Sequence, residues 1–256
     1  FQIRTGYGVC VYYVEGRDKG LLIDTGYGIG SLREFLSSFS RAPYDVLLTH
    51  GHGDHVGGAG EFERVYLPSP DEKLLKTYAS AEFRKELLSK KYTFSGELMP
   101  EKPDGYLELG DGMEFDLGGI HVKIVSLPGH TQGCIVPVVA EDNLAILGDA
   151  AGENTMLCFP ESASVALYEK GLNRFIEKTK GYNIRRYLRF HGTCESELPL
   201  IADLIRLCER IRAGKDAAVP VNVMGQQAFM AKERDDATLT GNILYRSKAK
   251  EREQLE

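Results

Sequence analysis

The chain has 256 residues, 43% hydrophobic and 27% charged, with a net charge of −6 at pH 7. These proportions are globular and exclude a disordered chain, a collagen and a disulfide-stapled miniprotein. The sequence pI of about 5.6 argues against a nucleic-acid binder, which carries a basic face, and no apolar run approaches the roughly 20 residues of a membrane helix.

Residues 9–14 are rich in β-branched and aromatic side chains and read as a strand, as do 21–24 after Gly20. The glycines of residues 26–30 read as a turn. Ser31 and Glu34 have the spacing of a capping box and open an expected helix to about Phe39. Residues 46–48 are a short buried strand running into Thr49-His50. A second capping box at residues 69–72, with Pro70 just inside it, opens a polar helical region of about 20 residues. Residues 96–112 hold two prolines and four glycines and read as a loop-rich connection able to divide the chain into halves. Residues 113–117 and 121–125 alternate as half-buried strands. Residues 134–140 and 144–147 read as buried strands, and 165–177 as a helix. Ile201, Leu204, Ile205, Cys208 and Ile211 follow helical spacing toward a C-terminal cap at Gly214. The tail after Ser247 is polar and expected to fray. Strands and helices alternate throughout, which argues an α/β fold. One domain over residues 1–256 is expected, with a helical insert at about 69–92.

Five cysteines, at 10, 134, 158, 194 and 208, are odd in number, widely spaced and without Cys-x-x-Cys. A secreted disulfide framework is not expected. The chain opens with no basic region followed by an apolar stretch, so no signal peptide is visible. Cytoplasmic localisation is the expectation.

Three of the six histidines fall in His50-Gly51-His52-Gly53-Asp54-His55. Imidazole and carboxylate are ordinary ligands of zinc. Alternating glycines give this backbone freedom to turn its side chains toward common points. One ion cannot easily use all four groups, which suggests two metals. His130, Asp149 and His191 each stand just beyond an expected strand, where α/β folds build sites. His121 opens a strand without a ligand companion and reads as structural or surface.

This pattern resembles the metallo-β-lactamase superfamily over about two thirds of the chain, from residues 21–26 to His191-Gly192. The resemblance implies a four-layer αβ/βα sandwich. It implies that His50, His52 and His130 hold one metal, that Asp54, His55 and His191 hold a second, and that Asp149 bridges them. Asp24 and Thr25 match a segment that in the family packs behind the ligands. β-Lactamases of this fold generally lack a bridging carboxylate at the position of Asp149, so its presence implies a general hydrolase of the glyoxalase-II-like kind. The flavin-linked diiron relatives replace the second histidine of the motif with a carboxylate, and His52 departs from that pattern. No clear equivalent of the glutathione-binding helical region of glyoxalase II stands after His191.

The expected cofactors are two divalent ions, zinc first, with manganese or iron also compatible with these ligands. A metal brings the pKa of bound water from 15.7 toward about 7, which supplies hydroxide at neutral pH. Asp54 is the catalytic carboxylate expected to orient that hydroxide and exchange its proton. The expected substrate is a small molecule carrying an ester, lactone, thioester or amide. Met156, Cys158 and Phe159, beyond Asp149, are nominated as pocket residues, the alternative being ordinary core. No nucleic acid or membrane partner is expected, and the oligomeric state is open. Two other readings compete: a phosphodiesterase or nuclease on the same metals, and an iron-dependent persulfide dioxygenase.

Overall fold

The computed structural model describes residues 1–246. The polar tail after Ser247 lies outside them. The chain divides into two compact units, 1–124 with 190–192, and 125–189 with the chain from Thr193 onward. The division falls inside a strand at Ile124 and Val125 rather than in the loop-rich connection at 96–112.

The first unit opens with an antiparallel meander, β1 (Gln2–Arg4), β2 (Cys10–Glu15) and β3 (Gly20–Ile23). Helix α1 (Leu32–Ser37) leads to β4 (Tyr44–Leu47), the short helix α2 (Gly53–Val56) to β5 (Val65–Leu67), and β6 (Leu107–Glu108) completes the sheet. From β3 onward these strands are parallel neighbours. Their apolar residues make one cluster with α1, including Val11, Tyr13, Leu22, Leu36, Val46, Leu48 and Val65. Two helices, α3 (Glu72–Tyr78) and α4 (Ala81–Lys91), precede β6. The antiparallel pair β7 (Glu114–Asp116) and β8 (His121–Ser126) follows, and the unit boundary lies in β8.

Two caps differ from expectation. Ser31 does cap α1, accepting from Glu34 N, but the carboxylate that answers it belongs to Glu61, whose oxygens take Ser31 Oγ and Leu32 N. Ser69 caps no α-helix: residues Ser69–Asp71 form a 3₁₀ turn, and the polar region splits into two helices where Ser80 accepts from Phe83 N.

In the second unit β9 (Ile135–Val139) pairs antiparallel with β10 (Leu144–Ile146). After β11 (Thr155–Leu157) and helix α5 (Val165–Thr179), β12 (Arg186–Leu188) lies parallel to β10 and antiparallel to β13 (Glu195–Ser196). Helix α6 (Leu200–Ala213) ends at Gly214 with φ of 67°, the expected left-handed cap. The hairpin β14 (Val219–Val223) and β15 (Gln226–Met230) joins β16 (Ile243–Tyr245) and β11 in a four-stranded sheet ordered β11-β16-β15-β14. Both long helices turn an apolar stripe inward, and Tyr168, Leu172, Phe175, Leu204, Leu207 and Ile211 pack with Val136, Leu147, Leu157 and Tyr245. No helix among the described residues is long and apolar enough to cross a membrane.

Candidate metal centre

The ends of parallel strands carry the first unit's site. Ile23 of β3 stands beside Leu47 of β4, so Asp24 and Thr49 leave the sheet as neighbours. Asp24 is fully buried with φ of 63°, and its Oδ1 accepts Thr49 N at 2.6 Å. Its Oδ2 accepts Thr49 Oγ1 at 2.7 Å and lies 2.8 Å from His55 Nδ1. Burial pushes this carboxyl above its usual range, against the opposing pull of His55 and Thr49. Thr25 Oγ1 donates to His55 O at 2.9 Å and accepts Gly58 N at 3.1 Å. Both residues therefore fix His55, Asp24 through the ring and Thr25 through the backbone.

His50 follows β4, and its Nδ1 meets Thr49 Oγ1 at 3.2 Å. His52 takes the N-cap position of α2, with its ring edge-on to His50 at 4.9 Å and against Tyr78 at 4.8 Å. Asp54 and His55 sit in the single turn of α2. His191 enters this unit because Cys10 N donates to Phe190 O and Val9 bridges to His191. Its Nδ1 meets Gly8 O at 3.2 Å.

These contacts give a consistent chemical result. In His50, His55 and His191, Nδ1 is engaged by an oxygen of the chain, which orients the ring and points Nε2 the other way, as in carboxylate- and carbonyl-backed metal histidines. His55 Nε2 and His191 Nε2 then lie 3.6 and 3.4 Å from Asp54 Oδ2. Zinc bonds of ~2.0–2.1 Å in a tetrahedron put neighbouring ligand atoms about 3.3–3.4 Å apart. The ligand atoms of Asp54, His55 and His191 all fall within 4.8 Å of one another, as do those of Asp24, His50 and His55. The first set fits a divalent metal. In the second, Asp24 already spends both oxygens on three hydrogen bonds, so it backs the ligands rather than joining them. Asp54 is 18% exposed and His191 41%, while His55 is sealed.

The glycines of the motif do different work from that expected. Neither Gly51 nor Gly53 has positive φ. A Cβ on Gly51 would meet Asp71 O at 2.9 Å and Leu74, and one on Gly53 would meet Tyr78 O at 2.3 Å. They are small because α3 presses on them. Asp71 Oδ2 also takes Gly51 N at 2.9 Å. Arg84 of α4 is fully buried and donates to the carbonyls of Tyr27, Gly57, Ala79 and Met99. It ties the 26–30 turn to the end of α2. In sequence it reads as one more surface charge of a polar helix.

The second unit presents two of the expected ligands. His130 Nδ1 meets Met156 O at 2.9 Å, the same engagement of Nδ1 as in the first unit. Its Nε2 lies 3.9 Å from Asp149 Oδ2. Tyr168, also unanticipated, supports both: its hydroxyl donates to Ala150 O at 2.7 Å, and its ring fills the space a Cβ on Gly129 would need. Of the nominated pocket residues, Met156 and Phe159 are half-buried and Cys158 is buried, together with Val223, Ala228 and Leu244. Burial pushes the Cys158 thiol up to about 11, so at neutral pH it packs rather than attacks. His121 is partly exposed, 3.8 Å from Asp116, in keeping with a surface role.

A family model for the metallo-β-lactamase superfamily matches residues 4–182. The chain belongs to the metallo-β-lactamase superfamily. Among curated relatives it is 29% identical to the probable metallo-hydrolase YqgX of Bacillus subtilis, over 54% of this chain and 64% of that protein. It is 26% identical to the acyl-coenzyme A thioesterase MBLAC2 of Gallus gallus, over 65% and 66%. The chain spans less than two thirds of the length of these relatives and about two fifths of others. Among solved structures it resembles an archaeal superfamily protein of Sulfolobus tokodaii, with a TM-score of 0.60 and 22% identity over 88% of this chain and 89% of that one. The α/β metallo-β-lactamase fold expected from the sequence is thereby established.

Proposed function

We propose that this member of the superfamily is a dinuclear metal-dependent hydrolase of small-molecule thioesters and related esters, with His50, His52, Asp54, His55, His130, Asp149 and His191 as its ligand set. The observation that carries this reading is the convergence of His55 Nε2 and His191 Nε2 on Asp54 Oδ2 at 3.6 and 3.4 Å, each ring held from behind. Divalent metals there, zinc by ligand type, would acidify water and polarise the substrate carbonyl. Asp54 orients the attacking water and takes up its proton. Asp24 and Gly8 O keep His55 and His191 in one tautomer and one orientation, so ligand geometry persists through turnover. The names of the metallo-hydrolase and thioesterase relatives support the bond class.

The test uses N-acetylcysteamine thioesters, bis(p-nitrophenyl) phosphate and a glutathione persulfide, assayed before and after removal of metal by dipicolinate. Chelator-sensitive thioester cleavage, restored by zinc, is expected. Phosphodiester cleavage alone, or oxygen uptake with the persulfide, would overturn the assignment.

A further inference from the structure

The four-stranded sheet β11-β16-β15-β14 has two apolar faces. Side chains alternate along each strand, so Leu157, Ile243 and Tyr245 join the core under α5 and α6. The opposite set, Met156, Cys158, Val221, Val223, Ala228 and Leu244, forms a second small cluster capped by Phe159. Met156 and Leu244 are register partners, which places the β11 and β16 parts of this face side by side. Beside it opens a cleft of about 630 Å³, lined on this face by Cys158, Val221, Ala228 and Gln226, with Asn222, Gln227 and Phe229 of the hairpin also lining it.

One cation enters it. Arg246 lies two residues beyond Leu244 on the same side of β16 and lines the cleft, where none of the lining side chains among the described residues is acidic. Its Nη2 donates to Ser162 O at 3.0 Å. Ser162 Oγ donates to His130 O at 2.8 Å, Met156 O faces His130 Nδ1, and the Phe159 ring meets the His130 ring at 5.8 Å. Arg246, on the lining of the cleft, is thus tied through Ser162 to the support on which His130 rests.

Resting on the hydrolase reading above, we infer that this cleft is a substrate subsite for amphipathic acids: an apolar body lies on the sheet face and a carboxylate or phosphate group pairs with Arg246. A guanidinium is the fork that fits either oxyanion. Gln226, the register partner of Val223 and so on the same face, offers an amide donor without adding charge.

Equilibrium binding of octanoate, octyl phosphate and octanamide, measured by calorimetry on the metal-loaded protein, tests this directly. Both acids should bind saturably and more tightly than the neutral amide, and the tighter acid identifies the group the cleft takes. Arg246→Gln should weaken both acids about tenfold, the order of one charge-assisted hydrogen bond, and leave octanamide unchanged. Arg246→Lys should recover part of the loss. Thermal melting of each variant separates lost binding from lost folding. In turnover, Arg246→Gln should raise KM for a glutaryl thioester about tenfold with kcat kept, and spare the butyryl thioester. Equal binding of amide and acids, or acid binding unchanged in Arg246→Gln, would overturn the cleft and spare the hydrolase. Acid binding without cleavage of any ester would overturn the hydrolase and, with it, the cleft's role as a substrate site.

Discussion

Asp24 shows how much of a metal centre lies behind its ligands. It touches His55 Nδ1, Thr49 N and Thr49 Oγ1 from full burial. Asp24→Asn keeps the shape and replaces one acceptor with a donor, which then faces a donor. The expected cost is roughly 1–3 kcal/mol of stability and about 10–100-fold in metal affinity, read by thermal denaturation and by metal titration against a chelating dye. Unchanged metal affinity would show that His55 needs no backing carboxylate. Asp149→Ala should lower metal occupancy and activity together in a folded protein, and full activity with two metals would refute the bridging role. The ligand-type residues themselves were readable because four of them crowd into residues 50–55. Arg84, Tyr168 and Glu61 were not, since each acts on a backbone group 18 or more residues away, or in Arg84's case on several segments at once. No local pattern records such a partner.

At the scale of elements, strands in the buried sheet and the two long amphipathic helices could be read from period and caps. The α6 stop at Gly214 follows because a left-handed residue there favours glycine. Elements with two apolar faces were harder. The hairpin β14–β15 carries Pro220 within its first strand, and its Met224-Gly225 turn lacks the usual Asn-Gly signal. Both turn residues have positive φ, at 50° and 87°. Met224 is 61% exposed, so Met224→Asn should stabilise the protein by about 0.5–1 kcal/mol. Thermal denaturation reads it, and a lower melting temperature would mean that Met224 is held by contacts worth more than the turn preference.

For the whole molecule, α/β class followed from alternating elements, whereas the division within β8 did not, because a continuous strand carries no linker signal. Burial also sets the response of the whole chain to alkali. It pushes Tyr106 up to about 12 and Cys158 up to about 11, and raises Tyr13, Tyr44, Tyr168 and Tyr187. For these groups the folded state holds its proton more tightly than the unfolded chain. Their stabilising contribution is complete below the unfolded values of roughly 8.5–10 and is lost as pH rises through the folded ones. Urea midpoints should therefore be level up to about pH 8 and fall steadily above about pH 9. A midpoint flat to pH 11 would mean that these groups ionise without unfolding.

Two metals held by the seven proposed ligand side chains would give a definite stoichiometry. In elemental analysis of protein purified without added metal, about two divalent ions per chain, mainly zinc, are expected. About one iron per chain would contradict that stoichiometry and point to oxygen chemistry instead.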